Sequence, residues 1–495
     1  MNAHVARSVP HRRFARLSDP RLLREDAYIG GRWVAGAARF AVTDPADGEA
    51  LAHVASLGAE AADRAVEAAA AAFPIWADLP PEARSAALLR WHDAILAARE
   101  DLAAIMVLEQ GKPLAEARGE IDYAASFVRF YAGEAQRVCV EGVASHLPDA
   151  EMRLTRRPVG VAGLVTPWNF PSAMLTRKAT AALAAGCTAV AHPSSHTPLS
   201  ALALAVLAER AGLPEGVFNV VTGEADAIVG RLCADARVRA MSFTGSTEVG
   251  RLIAARSAPT MKRLVMELGG HAPLIAFADA GVERAAAMAV AAKFATSGQD
   301  CLAANRIYVE RPAYAAFADA FVRRTQALKV AAGFAEGAEI GPLMHERAVA
   351  KCAAHVADAL ARGARLLCGG SGHAAGPLFF QPTVLADVPP DAAIMREETF
   401  GPVAALAPFD TEAEALARAN DTEYGLVAYL STADAARAAR MSARLDYGMV
   451  AVNRVKITGA PVPFGGTKQS GLGREGSRHG LEAFTDIQYV CLDRG

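Results

Sequence analysis

Between residues 59 and 111 the chain is rich in alanine, and Leu88, Ile95, Leu102 and Ile105 fall near helical spacing. Pro74, Pro80 and Pro81 are expected to break this stretch into separate helices, since proline lacks the amide hydrogen and crowds the preceding turn. From about residue 157 short apolar runs alternate with helical ones. Residues 159–165 read as a buried strand and 171–185 as a helix closed by Gly186, followed by a second strand at 187–191. Thr197 then caps a helix with Pro198 at its first position, buried along Leu199, Leu202 and Val206 and ended by Gly212 and Pro214. Residues 218–221 give a third strand, and 239–244 a fourth that runs into the segment GSTEVG. Strands alternating with helices predict a mostly parallel sheet covered on both faces, which binds dinucleotides at the carboxyl ends of its strands. A second alternating block starts near Pro273, with strands at 274–277 and 307–309, helices at 281–297 and 312–328, and a further set over 338–455. The fold class is α/β, with two such domains sharing an interface.

Composition agrees with a globular enzyme. The 495 residues are 52% apolar and 21% charged, and 51 Lys and Arg against 53 Asp and Glu leave a net charge of −2. There is no basic excess to suggest a nucleic-acid partner. No apolar run approaches the roughly 18 residues of a membrane span, so no membrane partner is expected. The seven cysteines, at 139, 187, 233, 301, 352, 368 and 491, form no CxxC and no zinc spacing, which predicts reduced thiols in the cytoplasm. His192 and His196 straddle Pro193 without a third ligand, so no metal site is expected. The arginine-rich first 26 residues lack a secretory apolar core and read as a solvated arm.

Gly471–Gly476 spells GLGREG, but it lies near the C-terminus, far from the strand–helix context a phosphate loop requires. GSTEVG at 245–250 has that context, and Ser246 with the free amides of the helix start suits a diphosphate. The chemical signal is Cys301 in SGQDC, taken with TPWNFP at 166–171 and MELGGHAP at 266–273. A thiol, an amide donor and a carboxylate are the set needed to oxidise an aldehyde. The thiolate adds to the carbonyl, the amide steadies the oxyanion, hydride leaves, and the carboxylate activates water on the thioester.

With EETFGPV at 397–403 and PFGGTKQSGLGREG at 463–476, these motifs resemble the NAD(P)-dependent aldehyde dehydrogenases over residues 26–492. The resemblance implies a Rossmann-type cofactor domain over 1–137 and 157–268 and an α/β catalytic domain over 269–467. It implies an oligomerisation arm and tail over 138–156 and 468–495, and a homodimer or homotetramer. Cys301 would be the nucleophile, Glu267 the general base, Asn169 the oxyanion amide beside the Cys301 N–H, and Lys178 a lysine near the site. NAD or NADP would be lined by Thr166, Pro167, Trp168, His192, Ser194, Ser195, Phe243, Gly245, Ser246, Leu268, Glu398 and Phe400.

More narrowly, residues 108–127, 169–187 and 473–492 resemble succinate-semialdehyde dehydrogenases. Arg177 and Thr458 match two of that group's carboxylate-binding positions, but Ala295 stands at the second arginine, and Asp300 replaces a usual threonine. Arg454 and Lys456 either compensate from the opposite wall or point to solvent. His192 stands where relatives carry lysine, which weakens the hold on a 2′-phosphate, while Ser195 removes a glutamate that would repel it. The small-molecule partner is thus expected to be succinate semialdehyde or another ω-semialdehyde. The alternatives are an aromatic or aliphatic aldehyde, a CoA-acylating reaction, or a non-catalytic protein on the same scaffold.

Overall fold

The computed structural model describes residues 12–137 and 141–494, so Cys139 and the first eleven residues lie outside the described part. Five parallel strands form the centre of the first sheet: Val161–Thr166, Thr188–Pro193, Phe218–Val220, Val238–Thr244 and Arg263–Glu267. Three of them, Val161–Thr166, Thr188–Pro193 and Phe218–Val220, are buried at every position, as expected for strands covered on both faces. Antiparallel edges are added by Ala27–Ile29 and Arg32–Val34 on one side and by Gly471–Leu472 on the other. Val161–Thr166 lies between Thr188–Pro193 and Val238–Thr244, so the strand order reverses beside it. This is the switch point, where loops diverge above the sheet and leave a crevice.

The second sheet runs Arg365–Cys368, Thr383–Ala386, Val403–Phe409, Ala304–Glu310, Ala272–Ala276, Val427–Ser431 and Met449–Val452, parallel apart from its first pair. A third, antiparallel sheet joins Thr485–Asp493 to Ala150–Pro158 and then Glu141–Val143.

Several local expectations shift. Pro74 does not break its helix, which spans Ala59–Ala77. It sits in the last turn, where one amide bond is lost, while neighbouring Trp76 is buried and donates to the Leu183 carbonyl at 3.0 Å. Thr197 occupies the N-cap of Pro198–Arg210, but its hydroxyl makes no capping bond. The buried Glu109 carboxylate takes over, accepting from Leu199 N at 2.8 Å and Ser200 N at 2.7 Å. The part of the arm described from Arg12 onward is anchored rather than wholly solvated: Phe14, Leu17 and Leu22 enter the core while Arg12, Ala15 and Arg16 stay exposed. The helix read as 281–297 ends at Phe294, because Thr296 and Ser297 adopt left-handed conformations with φ of 50° and 58°.

Candidate active site

The loop that carries Cys301 is held in an unfavourable backbone path by hydrogen bonds from several elements. Left-handed Thr296 and Ser297 each store strain. Thr296 N donates to the Glu116 carboxylate at 3.1 Å, and Ser297 Oγ donates to the Gly341 carbonyl at 3.1 Å. The Gln299 side chain donates to the Pro342 carbonyl at 3.2 Å and accepts from Met344 N at 2.9 Å. Gly270 presses on this loop: a Cβ there would stand 2.2 Å from the Cys301 carbonyl oxygen, so the second glycine of ELGG allows the close approach.

Around the sulfur three groups converge. Cys301 is buried, and burial first, then the Asp300, Glu267 and Glu398 carboxylates, push its thiol well above the usual range. Asn169, on the loop after Thr166, donates from Nδ2 to the Gln299 carbonyl at 3.0 Å. Its own carbonyl accepts from Lys112 Nζ at 2.8 Å, and Lys112 pairs with Glu120. Glu120 in turn accepts from Ser172 N at 3.0 Å, at the start of the next helix. Glu267, at the end of its strand, is 1% exposed, and neither carboxylate oxygen has a hydrogen-bond partner. Burial pushes its carboxyl up to about 8. A desolvated acid with no partner of its own is poised to exchange a proton with whatever enters beside it.

Lys178 lies behind these groups, buried, donating to Thr244 Oγ1 at 2.6 Å and paired with Glu475. Arg177 shares Glu475, its Nε 2.6 Å from the carboxylate, and its guanidinium stacks 4.3 Å from the Phe464 ring centre. Arg177 is thus 1% exposed and its charge is already matched. Burial raises the Tyr123 phenol, opposed first by the nearby Arg177 charge. Arg454 and Lys456 are exposed, Arg454 donating to the Lys456 carbonyl at 2.9 Å, and Ala295 is exposed too.

The residues matched to a cofactor gather at the switch-point crevice. Ser246 caps Thr247–Ser257 through Val249 N at 3.3 Å. Gly245 has no room for a Cβ, which would meet the Phe243 ring at 2.4 Å. Leu268 is buried, and its N donates to the Ser470 carbonyl at 3.0 Å. Trp168 meets Phe400 edge-on at 5.5 Å, and Phe400 holds a positive φ of 54°. Glu398 accepts from Gly270 N at 2.9 Å, and burial raises its carboxyl to about 7. Ser194 N donates to the Thr166 carbonyl at 3.1 Å and Ser195 is exposed. His192 is buried, its Nδ1 2.9 Å from the Val221 carbonyl, and burial lowers its pKa so that it is neutral. A crevice above a parallel sheet, with a capped helix start and glycines under it, suits a dinucleotide.

Sequence reasoning did not assign Lys112, Glu116, Glu120, Tyr123, Gln299 or Glu475. Glu116, Glu120 and Tyr123 fall at four- and three-residue steps on the helix Leu114–Ala135, a spacing that marks one face. Nothing local marks what that face meets.

Residues 33–490 match the aldehyde dehydrogenase family. The chain is 53% identical to a non-phosphorylating aspartate-semialdehyde dehydrogenase of Halomonas elongata, covering 96% of this chain and 97% of that protein. It is 47% identical to an NADP(+) succinate-semialdehyde dehydrogenase of Escherichia coli, covering 96% and 99%. The solved structure of succinate-semialdehyde dehydrogenase from Burkholderia pseudomallei superposes with a TM-score of 0.96 at 49% identity, covering 97% of this chain and 100% of that one. The chain belongs to the aldehyde dehydrogenase family, as an oxidoreductase that uses NAD or NADP.

Proposed function

We propose that this enzyme oxidises a short acidic semialdehyde to its carboxylate, with water rather than CoA resolving the acyl-enzyme. Cys301 Sγ adds to the aldehyde carbon, and Asn169 Nδ2 with the Cys301 N–H donates to the oxyanion. A nicotinamide held in the switch-point crevice by residues such as Ser246, Trp168 and Glu398 would supply the hydride acceptor. Glu267 then takes a proton from the water that attacks the thioester, and the carboxylate product leaves as the thiol is restored. The observation that carries this reading is the buried Glu267 carboxylate with both oxygens unpartnered. Lys178 and Glu475 lie behind the site and help fix the local charge.

Succinate semialdehyde is the reference substrate. The curated relatives named above act on aspartate and succinate semialdehydes. Tyr123 and Thr458, beside an Arg177 already held by Glu475, would offer hydroxyl donors for a distal carboxylate. Assembly as a homodimer or homotetramer through the third sheet, and residence in the reducing cytoplasm, complete the proposal. The described cysteines, all free, suit that compartment.

Glu267→Gln tests the mechanism. Hydride transfer should survive as a stopped-flow burst of reduced cofactor, followed by a steady state slowed about a hundredfold or more. In the wild type, steady turnover should rise with pH through about 8, since the base acts only as the carboxylate. The Gln variant should lose that limb. A variant that shows no burst, with both phases slowed alike, overturns the role of Glu267. Cys301→Ser should abolish both phases while cofactor still binds.

A further inference from the structure

We propose that His355 is a positioning residue for the cofactor: through Thr399 it fixes the segment that carries Glu398 and Phe400. The inference rests on the reading of Glu398 and Phe400 as residues of the nicotinamide-ribose site, and it deepens that reading. His355 lies on the helix Glu346–Ala361, whose buried side presents Cys352, His355, Val356 and Ala359. Such three- and four-residue steps make the stripe of a helix packed on a core. A polar ring inside an apolar stripe needs partners, because a buried nitrogen without one is costly.

His355 has two. Its Nδ1 lies 3.2 Å from Thr399 Oγ1, and its Nε2 lies 3.6 Å from the Glu397 carboxylate. An ionised carboxylate only accepts, so the ring proton belongs on Nε2, and Nδ1 is left to accept from the Thr399 hydroxyl. His355 and Thr399 are buried while Glu397 is exposed, so a surface carboxylate sets the tautomer of a buried imidazole.

The stretch that these contacts hold has little else to define it. Residues 398–400 belong to no helix or strand, and among the described residues their backbone makes no hydrogen bond to another backbone group. Phe400 also holds a left-handed φ of 54°, a conformation that persists only where its surroundings impose it. Three contacts do so. Lys351 Nζ donates to the Glu398 carbonyl at 2.6 Å, Gly270 N donates to Glu398 Oε1 at 2.9 Å, and His355 holds Thr399. Lys351 and His355 are four residues apart on one helix, so a single face grips two consecutive residues. Thr399 is thus tied to the helix, while Glu398 and Phe400 on either side of it stay partly open, Phe400 against Trp168. Releasing Thr399 would let both residues drift with the fold intact.

The test compares purified His355→Leu and His355→Asn with the wild type. Leu suits the apolar stripe but accepts nothing, whereas Asn keeps an acceptor near the place of Nδ1. Fluorescence titration without aldehyde should show NADH bound about tenfold more weakly by the Leu variant, as for one lost contact, and almost normally by the Asn variant. ADP, which lacks the nicotinamide ribose, should bind all three proteins alike. With 4-oxobutanoate deuterated at the aldehyde carbon, the Leu variant should show a larger isotope effect, because a displaced Glu398 slows hydride transfer more than thioester hydrolysis. Equal weakening of NADH and ADP would mark a merely structural histidine, and unchanged NADH binding would leave it no part in positioning. Either result overturns the proposal. Should the Leu variant fold poorly, Thr399→Val, which keeps the shape, carries the same test: it should weaken NADH and spare ADP, and equal effects overturn the proposal. Glu398→Gln separates the proposal from the reading beneath it. Normal NADH binding in that variant overturns the cofactor reading of Glu398, whereas weakened binding there with none in His355→Leu overturns only the part given to His355.

Discussion

At the scale of single residues, burial sets the chemistry. The same desolvation that raises Glu267 and Glu398 lowers His192, so one environment shifts acids and bases in opposite directions. His192 carries no charge from neutral pH upward, because its pKa lies below the ordinary value of 6.5. An uncharged imidazole with Nδ1 at the Val221 carbonyl offers little to a 2′-phosphate, while exposed Ser195 brings no repelling carboxylate. The enzyme is expected to accept both cofactors with NAD⁺ favoured at pH 8. Replacing His192 by Lys should raise kcat/KM for NADP⁺ about tenfold, near 1.4 kcal/mol, with little change for NAD⁺. An unchanged NADP⁺ efficiency would mean that residue 192 does not face the phosphate.

At the scale of elements, the helices around the site are joined by buried side chains that act from a distance. Glu109 caps Pro198–Arg210, and Glu120 plays the same part for Pro171–Ala185, so two acids from one pair of helices anchor the starts of two others. Glu109→Ala would leave two buried amides without acceptors, at a cost of about 1–3 kcal/mol. Thermal denaturation should show that loss, whereas Thr197→Ala, which removes no capping bond, should leave the melting temperature nearly unchanged. This pair also marks the limit of what was legible in the sequence. Strand runs such as 187–191, the Gly186 stop and the loops bearing Asn169, Glu267 and Cys301 were readable, because their signals lie within a few residues. The Glu109 cap, the Lys112 hold on Asn169 and the Arg177–Glu475 pair join positions far apart in the chain. No local pattern announces them, and Thr197 offered a nearer but wrong candidate for the cap.

At the scale of the whole molecule, the third sheet stands apart in its surface. Thr485–Asp493 pairs along its length with Ala150–Pro158, and among the described residues only the short Glu141–Val143 adds to it. A ribbon of so few strands is marginal on its own and needs a surface to cover it. Ile487 is 60% exposed, Tyr489 53% and Val143 42%. Ile487 and Tyr489 are two residues apart on one strand, so their side chains share a face. Apolar groups gathered on one element mark a site of association more often than scattered ones do. The proposed oligomer would cover this face, and the double substitution Ile487→Asp, Tyr489→Asp should then expel it from the interface by placing two unpaired charges there. Sedimentation should show the wild type as a dimer or tetramer and the double variant as a monomer with a lower melting temperature. Cys301 should still react with iodoacetamide in the variant, since neither residue is part of the catalytic loop. A variant that keeps the wild-type mass would show that assembly uses another surface.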